Sequence, residues 1–152
     1  MISHLLVVCT GNICRSPMAE ALFAARFKNS GGVVQVTSAG IAALTGHAPP
    51  GHAIELMAEK GIDISSHRAR QITEQQTRDS ELILVMEGGQ QKYLEKRWPA
   101  LRGRIHRLCE RQGADVIDPY RYAKDIYAIS LAQIESGVDE WCEQIGSSRD
   151  IH

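Results

Sequence analysis

Short apolar runs recur along the chain, separated by stretches whose apolar positions repeat at helical spacing. Leu5-Leu6-Val7-Val8 is apolar at every position, as expected of a strand covered on both faces. Ser16-Pro17 then reads as a helix start, a cap-capable hydroxyl followed by proline. Ala19, Leu22, Phe23 and Phe27 give that helix an apolar face, and Gly31-Gly32 ends it. Residues 33–39 predict a second strand, followed by a Gly/Pro-marked loop to Gly51. Residues 52–60 predict a helix stopped by Gly61. The polar loop Ser65-Ser66-His67-Arg68-Ala69-Arg70 precedes a short helix around Glu74. Residues 82–86 are a third apolar run, Gly88-Gly89 opens a helix that closes near Trp98-Pro99, and residues 105–108 are a fainter fourth strand. Beyond Asp118-Pro119, the positions Tyr127, Leu131, Ile134, Val138, Trp141 and Ile145 form one stripe of a long last helix. Residues 1–3 and 146–152 are expected to fray.

Strands alternating with helices predict a Rossmann-like α/β domain with a parallel sheet and right-handed crossovers. No linker, repeat or low-complexity segment divides the chain, so residues 1–152 are expected to form a single domain. With 43% hydrophobic and 23% charged residues, neither disorder nor a membrane protein is indicated. The net charge of −1 gives no overall basic field for nucleic acid, so any anion site must be local. No apolar run reaches the length of about 18 residues that suggests a membrane span, and no membrane insertion is expected. The N-terminus lacks a basic segment and a long apolar one, so no signal peptide is expected and a cytoplasmic location follows. Cys9, Cys14, Cys109 and Cys142 are too few and too irregular for a disulfide scaffold.

The candidate chemistry lies in Cys9-Thr10-Gly11-Asn12-Ile13-Cys14-Arg15-Ser16-Pro17, at the carboxyl end of the first strand, where ligands sit in such sheets. A tight loop there turns successive backbone N–H groups inward and runs into a helix N-terminus, which makes an anion cradle. Gly11 permits a left-handed backbone, and Asn12 tolerates one. Arg15 adds a planar, permanently charged fork for phosphate oxygens. The same field favours the thiolate of Cys9, lowering its pKa from about 8.5, and makes it a nucleophile aimed at phosphorus. Ser16 can donate a hydrogen bond to the sulfur. Displacing an alcohol from phosphate needs a proton donor, a phenol needing less help than an alkyl alcohol, and Asp118, beyond the fourth strand and on the same sheet edge, is the best candidate acid.

Blander roles stand beside these. A cysteine at a strand end is commonly a small core residue, and Asp118 alone reads as a turn or helix cap. Zinc would need a second close Cys/His pair, which is missing, and no Gly-Lys-Ser/Thr marks a Walker loop.

The chain, over about residues 4–145, resembles the low-molecular-weight protein tyrosine phosphatases. The loop from Cys9 to Pro17 matches the family's phosphate loop, and Asp118-Pro119-Tyr120 its acid loop. Ser38-Ala39-Gly40 and His67-Arg68-Ala69-Arg70-Gln71 match as well. The resemblance implies a four-stranded parallel sheet flanked by helices. It also implies a two-step mechanism without metal or cofactor: Cys9 attacks phosphorus while Asp118 protonates the phenolate, then Asp118 activates water to hydrolyse the cysteinyl phosphate. Thr10, Gly11, Asn12, Ile13, Cys14, Arg15 and Ser16 are the implied phosphate-binding residues. Asn12, Ser38 and His67 are implied to brace the loop, or to fill ordinary loop and cap roles. Cys14 resembles a second loop cysteine able to trap oxidised Cys9 as a disulfide, or it is a packing residue.

Leu44 and Tyr120 are the implied substrate rim, or ordinary loop surface. Leu44 stands where animal members carry a large aromatic, and Arg121 where they carry a second tyrosine. Both departures resemble the bacterial branch that works with exopolysaccharide-linked tyrosine autokinases. The implied partner is therefore a phosphotyrosine protein such as a bacterial tyrosine autokinase, and a monomer is favoured. Protein arginine phosphatases and arsenate reductases are similar alternatives. The first tend to carry threonine where Ile13 stands. The second need a nearby cysteine pair, whereas Cys109 and Cys142 lie far apart in sequence. A phosphopeptide-binding module without catalysis would lack Cys9 or Asp118, and both are present.

Overall fold

The computed structural model describes residues 2–150, with side chains described to residue 146. Four strands, β1 (His4–Cys9), β2 (Gln35–Gly40), β3 (Leu82–Val85) and β4 (Ile105–Arg107), form one sheet in the order β2-β1-β3-β4. Every pairing is parallel: Leu5 sits between Val36 and Leu82, and Ile83 pairs with Ile105. The helices are α1 (Arg15–Asn29), α2 (Gly51–Ala58), α3 (Glu74–Asp79), α4 (Gly88–Arg97) and α5 (Lys124–Asp150), with a short 3-10 turn at Pro99–Leu101.

The all-apolar β1 run is explained by its place inside the sheet. Leu5 and Val7 point into a core built largely with α1 and α5, through Met18, Leu22, Phe23, Tyr127, Ile134 and Val138. Leu6 and Val8 point to the opposite face, against Leu94, Leu101 and Ile72. All four β1 residues are fully buried, so alternation is lost because both faces are covered. The α5 stripe is buried along its length except at Trp141, which is partly buried and donates its indole N–H to the Leu108 carbonyl at 2.9 Å.

This topology brings three loops to one sheet edge. Adjacent β1 and β3 feed connections to opposite sides, the switch point at which open α/β sheets bind ligands. The β1–α1, β3–α4 and β4–α5 loops all leave from the carboxyl ends of parallel strands. Gly40, ending β2, packs against the first of them. A Cβ there would lie 2.6 Å from the Thr10 carbonyl oxygen, so only glycine allows this approach.

One local expectation is corrected. Ser16 is not the helix cap: α1 begins at Arg15 after Cys14, and the Ser16 hydroxyl is drawn into the site instead. Of the two loop residues read as tolerating a left-handed backbone, Gly11 and Asn12, it is Asn12 that adopts one, at φ 58°. At the ends, α5 continues through Gly146 to Asp150. The Ser3 amide and hydroxyl are both held by Glu81. The expectation of fraying at residues 1, 151 and 152 lies outside the described residues. Among the described residues no helix is long and apolar enough to cross a membrane.

Candidate active site

The loop from Cys9 to Arg15 is shaped by Asn12. Its side chain is fully buried, and an unpaired amide there would cost about 1–3 kcal/mol, so each amide atom is engaged. Nδ2 donates to Ser16 Oγ at 2.8 Å and to Ser38 Oγ at 3.0 Å, while Oδ1 accepts from the Arg70 N–H at 2.9 Å. The Asn12 carbonyl accepts from His67 Nε2 at 2.9 Å, which fixes the proton on that ring nitrogen. Together these contacts hold a side-chain-bearing residue in the left-handed region.

Proton directions can be followed along this network. An ionised Glu20 only accepts, so Ser38 gives it the hydroxyl proton. Ser38 must therefore accept from Asn12, and so must Ser16. The Ser16 proton is left free for its other neighbour, the Cys9 sulfur, 2.9 Å away. The Asn12 backbone N–H also points at that sulfur, at 3.3 Å. Two donors are thus directed at one sulfur.

Above the sulfur lies a cleft of about 180 Å³ lined by Cys9, Thr10, Gly11, Ile13, Cys14, Arg15, Ala42, Leu44, Asp118 and Tyr120. The backbone N–H groups of Gly11, Ile13 and Cys14 have no protein acceptor among the described residues. They form a concave set of donors at the start of α1, suited to an anion. Asn12 and Ser16, expected among the phosphate-binding residues, do not line the cleft; they sit behind the sulfur.

Arg15 is 1% exposed, an unusual place for a charge. One terminal nitrogen donates to Glu87 Oε2 at 2.6 Å and to the Val116 carbonyl at 3.0 Å, and the other lies 3.6 Å from Asp118 Oδ2. Burial works against its charge, but Cys9, Glu87 and Asp118 outweigh burial and raise its pKa above the ordinary arginine value. Its Nε–H is buried with no hydrogen-bond partner, a donor available to an acceptor in the cleft. Asp118, half-exposed at the mouth, accepts the Tyr120 N–H at 3.2 Å, which sets the turn of the β4–α5 loop.

Leu44 and Tyr120 flank the entrance together with Ala42. Cys14 is pushed up to about 12 by burial first, then by Cys9 and Asp118, and so remains a thiol near neutral pH.

Three contributors were not read from the sequence. Glu87 orients Arg15 from the β3–α4 loop. Gln90 accepts from the Met86 and Glu87 N–H groups and donates to Thr10 Oγ1 at 3.0 Å, tying two loops together. Glu20 anchors the serine network from α1. Each is an ordinary polar helix residue in sequence; only the Glu-x-x-Gln spacing of Glu87 and Gln90 signals anything, and it signals a capping box.

Comparison with known proteins follows the same lines. Residues 4–150 match the family described as low molecular weight phosphotyrosine protein phosphatase. The chain is 46% identical, over 95% of its length and 97% of the relative's, to the "Probable low molecular weight protein-tyrosine-phosphatase EpsP" of Ralstonia nicotianae. Among solved structures it is similar to Vibrio vulnificus Wzb in complex with benzylphosphonate, with TM-score 0.88, 33% identity, and coverage of 95% of this chain and 99% of that one. It is also similar to the YwlE arginine phosphatase from Geobacillus stearothermophilus, with TM-score 0.89, 30% identity, and coverage of 99% and 97%.

Proposed function

This chain belongs to the low molecular weight phosphotyrosine protein phosphatase family and is a protein-tyrosine-phosphatase, and on that premise we propose that it works through a cysteinyl-phosphate intermediate formed on Cys9. The observation that carries this reading is the Cys9 sulfur on the wall of a donor-lined cleft, with the Ser16 hydroxyl and the Asn12 N–H directed at it. The thiolate attacks phosphorus, the S–P bond forms, and the P–O bond to the aryl group breaks. Asp118, entering as the acid, gives its proton to the phenolate oxygen. The resulting carboxylate then takes a proton from water, whose oxygen attacks phosphorus and releases the Cys9 sulfur and inorganic phosphate. The loop amides and Arg15 hold the equatorial oxygens, where transition-state charge is spread. The partnerless Arg15 Nε–H and the open amides support that role. Glu87, Asn12, Ser38 and His67 act as positioning residues.

The substrate reading is a phosphotyrosine protein in a bacterial cytoplasm, and at the finest level a tyrosine autokinase of exopolysaccharide production. The bacterial relatives and the small Leu44 rim support it. Phosphoarginine hydrolysis is the second reading, supported by the likeness to the Geobacillus enzyme. Ile13 weighs against it, since its side chain brings only carbon to the cleft and gives a phosphoguanidinium no hydrogen-bond partner.

A panel of phosphotyrosine and phosphoarginine peptides, assayed beside arsenate reduction, tests the choice. The expected result is turnover of phosphotyrosine peptides well above the other two. Comparable or faster phosphoarginine release would move the chain to the second reading, and thiol-coupled arsenate reduction would move it to a third chemistry.

A further inference from the structure

The acid loop holds a second side-chain-bearing residue in the left-handed region, Arg121 at φ 70°. Residues Pro119 to Tyr122 form a turn closed by the Tyr122 N–H on the Pro119 carbonyl at 2.9 Å, with Arg121 at the third position. A turn with positive φ at that position ordinarily takes glycine, because a Cβ crowds the backbone. Strain of this kind tends to gather where a protein binds something. The guanidinium carbon of Arg121 lies 5.3 Å from the Tyr120 ring centroid, within cation–π reach. Tyr120 lines the mouth of the cleft. Arg121 is exposed and forms no ion pair among the described residues, whereas nearby Lys124 is engaged by both Glu55 and Glu59. An unpaired guanidinium thus stands one aromatic ring away from the entrance.

Building on the phosphotyrosine reading above, we propose that Arg121 is a specificity residue that engages an anionic side chain flanking the phosphotyrosine on the same substrate chain. A carboxylate and a second phosphate share the required chemistry, since the planar fork suits both. Stacking on Tyr120 already restricts the guanidinium, so little side-chain freedom is lost on binding. The contact is made equally in the ground and transition states, so its effect falls on KM and leaves kcat in place.

Four peptides with one phosphotyrosine test this, with flanks of neutral residues, glutamate, phosphoserine or lysine. The protein is expected to hydrolyse the glutamate and phosphoserine peptides with kcat/KM about threefold to tenfold above the neutral peptide, and the lysine peptide below it. The gap should narrow as salt rises. Arg121→Gly should erase the ranking; glycine takes φ 70° freely, and a thermal melt verifies that the variant is folded. Arg121→Lys keeps the charge without the planar stack and should keep only part of the preference. A preference for one anionic peptide alone supports the proposal and identifies which anion is read. Equal kcat/KM for the neutral and both anionic peptides, or a ranking that survives Arg121→Gly, overturns it and leaves the phosphatase reading standing. No turnover of any peptide would overturn both.

Discussion

Two loops meet at the cleft, and each holds a side-chain-bearing residue in the left-handed region, Asn12 at φ 58° and Arg121 at φ 70°. Their surroundings are opposite. Asn12 is fully buried, and its backbone and amide groups reach Cys9, Ser16, Ser38, His67 and Arg70. Arg121 is exposed and rests on one aromatic ring. The buried loop fixes the geometry of the reacting atoms, which preorganised donors require. The exposed loop carries Asp118 and Tyr120, the proposed proton donor and rim, groups that must meet solvent and differing substrates. Damage to the first should cost chemistry and folding together, and damage to the second should cost chemistry or selectivity alone.

The largest expected effect comes from Cys9→Ser. Turnover of a phosphotyrosine peptide should fall by about 10³-fold or more. Inorganic phosphate should still bind, within about a fewfold by calorimetry, because the amide cradle survives. Retained turnover would mean that sulfur is not the nucleophile.

Asp118→Asn should slow phosphotyrosine hydrolysis by about 10²–10⁴-fold without lowering the melting temperature, since the side chain is half-exposed. Esters of strongly acidic phenols need less protonation of the leaving group and should lose less in the phosphorylation step. An equal loss for both leaving groups in that step would argue against an acid role.

Asn12→Ala should give the mixed result that marks the buried loop. It removes the amide bonds and leaves a Cβ in the left-handed region, for a predicted stability loss of about 2–4 kcal/mol in urea titration. Asn12→Gly removes the backbone strain and should recover only part of the loss. Full recovery by glycine would show that the hydrogen bonds matter little.

The smallest effect is alkaline. The Cys14 pKa rises from 9.0 to about 12 on folding, chiefly through burial. Below about pH 9 both folded and unfolded chains keep this proton, and the group has no effect on stability. Above it the unfolded chain loses the proton while the folded chain retains it, so stability falls with a slope of up to about 1.4 kcal/mol per pH unit until the folded value is passed. Cys14→Ser should flatten the decline between about pH 9 and 11, read as the change in urea midpoint. An unchanged slope would place the decline elsewhere, for example at buried Cys109 or Tyr127, which are also raised chiefly by burial.

The sheet and the loop that follows β1 were legible because their signals are local. Leu5-Leu6-Val7-Val8 is a buried strand in any context of this size, and Cys9 through Arg15 presents its chemistry within one turn of chain. Glu87 and Gln90 were not legible. They reach Arg15 and Thr10 from 72 and 80 residues away, and only the β1–β3 pairing brings those loops together. Ser16 misled for the converse reason: Ser-Pro is a sound local cap signal, but the nearby sulfur and Asn12 amide claimed the hydroxyl. Gly11 and Asn12 both read as able to take a left-handed backbone, and Asn12 takes it because its side chain has partners there and glycine would have none.

The identity of the residue that becomes phosphorylated tests the central claim most directly. Asp118→Asn, mixed with an aryl phosphate whose phenol is strongly acidic, should phosphorylate readily but hydrolyse the intermediate slowly, because the second step lacks its base. Rapid quenching followed by peptide mass spectrometry should then find phosphate on Cys9, in amounts matching the burst of released phenol. A burst with phosphate on any other residue, or steady turnover with no phosphorylated protein, would contradict the account.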